Sequence, residues 1–252
     1  GDELNECRMS ERSVSAAEPA RSAAEREWEQ WRADRLRALR GPQGNLALVE
    51  TAWLPDGERP DLEAASQGLP EGVTLTTVRR TDLVTGAPEY AIRRWDAASP
   101  ALRAFDGVEA YPYDPAWVLE AEYTPVEGAR KVPFEHIRDN GGSRELVVPG
   151  DITLTVGGTA YTLSAFDDDG TLLLVFGDPT NGNGTYGAGR FLFVPHDGAS
   201  RRVVLDFNRA FVPPCGFSDQ YNCPMPPRQN RFHLPVEAGE KRPVFHGGAP
   251  AH

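Results

Sequence analysis

Lysine is nearly missing from this chain. Lys131 and Lys241 are its two instances, so almost all positive charge is arginine. Cysteine is sparse too: Cys7, Cys215 and Cys223 are too few for a disulfide scaffold. No stretch approaches the roughly 20 apolar residues that a membrane-spanning helix needs. The start of the chain, Gly1 to Cys7, has no basic region followed by an apolar one. No signal peptide is therefore expected, and the expected address is cytoplasmic. Basic runs are also lacking, and 37 acidic residues outnumber 26 basic ones, a net charge of −11. That balance argues against a nucleic-acid or anionic-membrane partner.

What is present suits a packed β protein. The 252 residues are 40% hydrophobic and 25% charged, enough to build a core. Gly 25 and Pro 22 point to many turns and short strands. The expected organisation is a loose tail over residues 1–15, one β-rich domain over 16–245, and a second tail over 246–252. A helix is expected over about 16–40, with Ala24, Trp28, Trp31, Leu36 and Leu39 on one face. Its other face carries Glu25, Glu27, Glu29 and Asp34 with Arg26, Arg32, Arg35 and Arg37. Gly41-Pro42 stops it.

Strand signals follow. Leu46 to Trp53, Val73 to Val78, Tyr90 to Trp95 and Trp117 to Tyr123 read as strands. Ser99-Pro100 marks the N-terminus of a short helix reaching Phe105. The clearest unit is a meander. Ile152 to Val156 turns at Gly157-Gly158, returns as Tyr161 to Phe166, and turns again at Asp167-Asp-Asp-Gly170 into Thr171 to Phe176. Phe191 to Val194 and Val203 to Phe207 extend the sheet, joined by a turn around His196-Asp-Gly198. No long helix separates these strands. The expected fold is mainly β: an antiparallel barrel-like or sandwich sheet with the N-terminal helix packed on it.

Chemistry-bearing residues concentrate in the C-terminal third. The runs are Thr185-Tyr-Gly-Ala-Gly-Arg-Phe-Leu192, Leu205-Asp-Phe-Asn-Arg-Ala-Phe211, Pro213-Pro-Cys-Gly-Phe217, Cys223-Pro-Met-Pro-Pro227, Asn230-Arg231 and Ala238-Gly-Glu240. In these motifs, over residues 176 to 241, the chain resembles the bacterial family catalogued as domain of unknown function 1684. Between Trp28 and Pro149 the likeness is looser. The resemblance implies no activity and no catalytic residues.

Candidate ligand-binding residues are Arg190, Asp206, Asn208, Cys215, Cys223, Asn230 and Glu240. The glycine loop Asn181 to Gly189 has two readings. Its backbone N–H groups and Arg190 could clamp a phosphate or carboxylate, a flavin phosphate among them. Alternatively, the glycines shape a hairpin and Arg190 pairs with a buried carboxylate such as Asp206. Asp206 and Asn208, two apart at a strand end, are expected on one face. Glu240 and Glu237 read as one salt bridge, to Arg231 or Arg190, and one solvated charge. Cys215 and Cys223 lack the further ligands of a metal site, so no metal is expected. They form a disulfide in an oxidising compartment or stay two buried thiols in a reducing one. No cofactor is specified. Three function readings follow: a small-molecule-binding protein or enzyme with an anionic ligand, a structural or interaction module in which the same residues form a buried polar brace, and a flavin-binding barrel. A pocket reading requires at least three of Arg190, Asp206, Asn208, Cys215, Cys223 and Glu240 to face open volume.

Overall fold

The computed structural model describes residues 21–139 and 143–248. Both expected tails lie largely outside that range, as do the first residues expected in the helix. Helix α1 runs Ala23–Leu39, with the Ser22 side chain accepting the Glu25 N–H at 3.1 Å as its N-cap. Trp28 and Leu39 are its buried anchors. Gly44 lies against the helix end, where a Cβ would stand 2.2 Å from the Ala38 carbonyl oxygen.

Strands β1 (Leu48–Trp53), β2 (Val73–Thr81) and β3 (Pro88–Asp96) form a small antiparallel sheet in the order β1-β3-β2. A one-turn helix, α2 (Leu62–Ala65), precedes β2. Helix α3 (Pro100–Ala104) starts where Ser99-Pro100 places it. The Ser99 hydroxyl caps the Leu102 N–H at 3.1 Å and donates to the Leu46 carbonyl at 2.7 Å. Strand β4 (Phe105–Ala110) follows and pairs with the last strand, β11 (Glu240–Phe245).

The main sheet has six antiparallel strands: β5 (Val118–Glu135), β6 (Ser143–Val156), β7 (Thr159–Asp168), β8 (Thr171–Phe176), β9 (Arg190–Val194) and β10 (Arg202–Asp206). Their order is β10-β5-β6-β7-β8-β9, curled into a half-barrel. The two meander turns form where the glycines sit. Gly157 and Gly158 have φ of 57° and 81°, and Asp169 and Gly170 have 55° and 87°, the left-handed pair that tight hairpins require.

Two cores share this sheet. Leu172, Leu174 and Phe176 of β8 face the inner core with Ile152, Leu163, Leu192, Leu205 and Phe207. Leu173 and Val175 face the outer core with Phe134, Val148, Phe191, Trp95 and Phe211. This explains why Thr171 to Phe176 reads as an unbroken apolar run: the strand is covered on both faces. The outer layer is supplied by the small sheet and by Phe211, Cys215, Tyr221 and Cys223, while Phe232, Val236 and Ala238 of the same irregular segment close the inner core.

Three expectations are corrected. β10 extends the sheet at its opposite end, beside β5 rather than β9. The strand begun at Trp117 continues to Glu135 through Pro125 and Pro133, with a register break between Pro125 and Arg130 that absorbs the interruption. Asn208 is not on the strand: β10 ends at Asp206, and Phe207–Arg209 is a 3-10 turn.

Candidate functional site

Arg190 opens β9 and is fully buried, at 0% exposure. Its Nη1 donates to the carbonyls of Ala238 at 2.6 Å and Glu240 at 3.2 Å. Its Nη2 donates to Val236 O at 2.8 Å and to Asp178 Oδ1 at 3.4 Å. The guanidinium also stands 5.2 Å from the Phe176 ring centroid. Burial pulls its pKa below the usual arginine value, and Asp178 opposes that pull. Its anionic partner is therefore Asp178, not Asp206.

Asp178 is tied down in turn. Its carboxylate accepts the Thr180 hydroxyl at 2.8 Å and the Val236 N–H at 2.7 Å. The Asn181 side chain accepts the Asp178 N–H at 2.8 Å and donates to Thr185 at 3.0 Å. The backbone N–H groups of Asn181, Gly182, Asn183, Thr185, Tyr186 and Gly189 all reach protein carbonyls. The loop is thus organised around its own polar groups, with a buried ion pair at its base.

The other candidates act as ties between segments. Asn230 spans two strands of the sheet: its Oδ1 accepts the Ser164 N–H at 2.9 Å, while its Nδ2 donates to Ser164 O at 2.8 Å and Val175 O at 2.9 Å. Asn208 exchanges hydrogen bonds with the Asp114 backbone at 2.9 and 2.8 Å. Its own carbonyl receives the Trp28 indole N–H at 2.8 Å, which docks α1. Glu240 is 3% exposed and pairs with Arg35 of α1, not with Arg231 or Arg190, while Glu237 is exposed. Cys215 and Cys223 are buried free thiols. The Tyr186 hydroxyl donates to Cys215 Sγ at 3.4 Å.

Asp206 differs from the other six. It is partly exposed, accepts the Asn208 N–H at 3.0 Å, and stands 3.7 Å from Arg209 Nε. It lies at the rim of a cavity of about 320 Å³ between α1 and the outer face of β9 and β10. Trp31, Phe193, Phe211 and Val204 line that cavity. Phe193 and Phe211 stack at 5.4 Å, and Phe193 and Val204 are 48% and 47% exposed.

Asp178, Arg35, Trp31 and Phe193 were not singled out by the motif reading. A signal existed for Asp178: Asp-Pro-Thr is a local turn motif in which a carboxylate accepts bonds from residues just ahead. None existed for Arg35, which sits among solvated helix charges in sequence.

The profile of the family described as Protein of unknown function (DUF1684) matches residues 103–241. The solution NMR structure of an uncharacterized protein from Haloarcula marismortui is 31% identical, with 54% of this chain and 77% of that chain covered and a TM-score of 0.45. No curated protein matches the chain. Arg190, Asp206, Asn208, Cys215, Cys223, Asn230 and Glu240 all fall within the matched span, and on that match the chain belongs to the family of unknown function DUF1684.

Proposed function

We propose that the protein is a small-molecule-binding β module whose site is the aromatic cleft between α1 and the β9/β10 face. The supporting observation is the lining: two large apolar side chains, Phe193 and Val204, are left half-exposed beside Trp31 and Phe211. A volume of about 320 Å³ lies at the small end of ordinary ligand sites. The ligand this suits is one apolar ring with a single polar end. The ring would lie against the aromatic side chains, and the polar end would meet the loose Asp206–Arg209 pair. Asn208 and Glu240 then act at one remove, by holding the segment that carries Phe211 and Asp206.

The test is a panel of small aromatic acids and amides, screened by saturation-transfer NMR on the intact protein. Binders should compete with one another and be lost in Phe193→Ser and Val204→Lys, two surface changes. Binders indifferent to both changes, or a panel with no binder, would reject the cleft.

A second reading is favoured by the burial of the other candidates. Six of the seven side chains are under 9% exposed, which suits an interaction module with an internal polar brace. It expects no small-molecule binder and a large stability loss when the brace is cut.

A further inference from the structure

The cleft does not use the molecule's two described thiols, which lie side by side. Cys215 sits in the 3-10 turn Pro214–Gly216, and Cys223 follows after the chain loops back through Tyr221. They are 8% and 5% exposed and not joined. Both sulfurs belong to one buried cluster, against which Tyr186 packs. The Tyr186 hydroxyl donates to the Cys215 sulfur at 3.4 Å. Arg138, whose Nε donates to the Tyr221 carbonyl at 3.2 Å, adds positive charge nearby.

This arrangement is asymmetric. Neighbouring Cys223, together with the Tyr186 hydroxyl, draws the Cys215 thiol below its ordinary pKa, against the effect of burial. Neighbouring Cys215, with burial, pushes Cys223 up. One sulfur is disposed to become the thiolate and the other to keep its proton.

The geometry points to Cys215 and Cys223 as a peroxide-sensitive dithiol, in which Cys215 attacks and Cys223 resolves. The Cys215 thiolate sulfur attacks one oxygen of hydrogen peroxide. The S–O bond forms, the O–O bond breaks, and the leaving hydroxide takes up a proton as water. The Cys223 sulfur then gives up its proton and attacks the sulfenic sulfur. The S–S bond forms, the S–O bond breaks, and hydroxide leaves with that proton as a second water. The two thiols lose two electrons in total, and the peroxide gains them. A small oxidant matters here because both sulfurs are nearly covered. The bond would fasten the Pro214–Gly216 turn to the segment bridged onto the end of β5 through His136 and Pro224.

The experiment uses the full chain with Cys7→Ser, leaving the pair as its only thiols. Native protein is exposed to graded hydrogen peroxide, quenched, unfolded, alkylated and weighed intact. The expected product has lost two hydrogens and accepts no alkyl group, and dithiothreitol reverses it. Adding Cys223→Ser should stop the reaction at a sulfenic acid on Cys215 that dimedone traps. Tyr186→Phe should slow oxidation about fivefold, as losing one hydrogen bond implies, without changing the product. The proposal is overturned if both native thiols stay alkylatable at peroxide levels that oxidise the unfolded chain. It is equally overturned if dimedone marks the Cys215→Ser chain, which keeps Cys223, and not the Cys223→Ser chain. The mass measurement on the Cys7→Ser chain decides the first point even if a further variant fails to fold.

Discussion

Arg35 and Glu240 form a two-point ion pair that joins the first helix to the last strand. Nε meets Oε2, and Nη2 meets Oε1 at 2.8 Å. The same carboxylate accepts the Val212 N–H at 2.8 Å, and Arg35 Nη2 donates to the Val212 carbonyl at 3.0 Å. Both side chains are largely covered, at 16% and 4% exposure. Removing one partner leaves the other charge buried. Glu240→Ala should therefore cost about 3–5 kcal/mol in urea unfolding. The double variant with Arg35→Ala should cost clearly less than the sum of the two singles. Additive losses would show that the pair is not coupled.

Arg190 carries a stronger version of the same argument, because nothing of it reaches solvent. Arg190→Ala strands Asp178 beneath the loop and frees three carbonyls that it now satisfies. A loss of about 3–5 kcal/mol is expected. Arg190→Met combined with Asp178→Asn should recover part of it. Thermal unfolding of the two variants tests the ranking. A stable Arg190→Ala protein would remove the brace.

Gly189 stands immediately before Arg190 at a φ of 94°. A Cβ there would lie 2.6 Å from Pro226 Cγ and 2.7 Å from the Phe176 carbonyl oxygen. Gly189→Ala combines left-handed strain with a backbone clash. It should destabilise by more than the ~1 kcal/mol that strain alone costs. Gly182→Ala, with φ of 77° but open space around its Cβ, is the control and should cost less.

His136 gives the pH prediction. Its Nδ1 bonds the Phe134 carbonyl at 2.9 Å, so the neutral ring donates there. Burial holds its pKa below the ordinary 6.5, with the Phe134 bond opposing and nearby Arg144 and Asp139 acting in opposite senses. The unfolded chain then binds the proton more readily than the folded one. Stability from this group is complete above 6.5 and is lost as pH falls from there toward the lower folded value. Urea unfolding at stepped pH should show this slope, and His136→Gln should flatten it.

The elements legible in sequence were those carrying their own punctuation. Gly157-Gly158 and Asp169-Gly170 supply positive φ, and Ser99-Pro100 supplies both a cap and a fixed φ, so the meander and α3 stand where they were expected. The strand expected from Trp117 stops at Tyr123 because Pro125, Gly128 and Pro133 are strand breakers, and the register break that accommodates them in β5 has no local signature. The pairing of β10 with β5 spans about 80 residues and depends on sheet curvature. The candidate residues were recognisable as a group, but not their partners. Arg35 and Glu240 are 205 positions apart, and only the folded chain largely covers this helix arginine.

The two-sided burial of β8 has a consequence for how the protein opens. Leu172, Leu174 and Phe176 answer to one core, and Leu173 and Val175 to the other. The strand is a party wall: neither side can melt without disturbing the other's foundation. Amides along Leu173 to Phe176 should consequently exchange with solvent only through global unfolding, and deuterium uptake there becomes a direct gauge of the whole fold's stability.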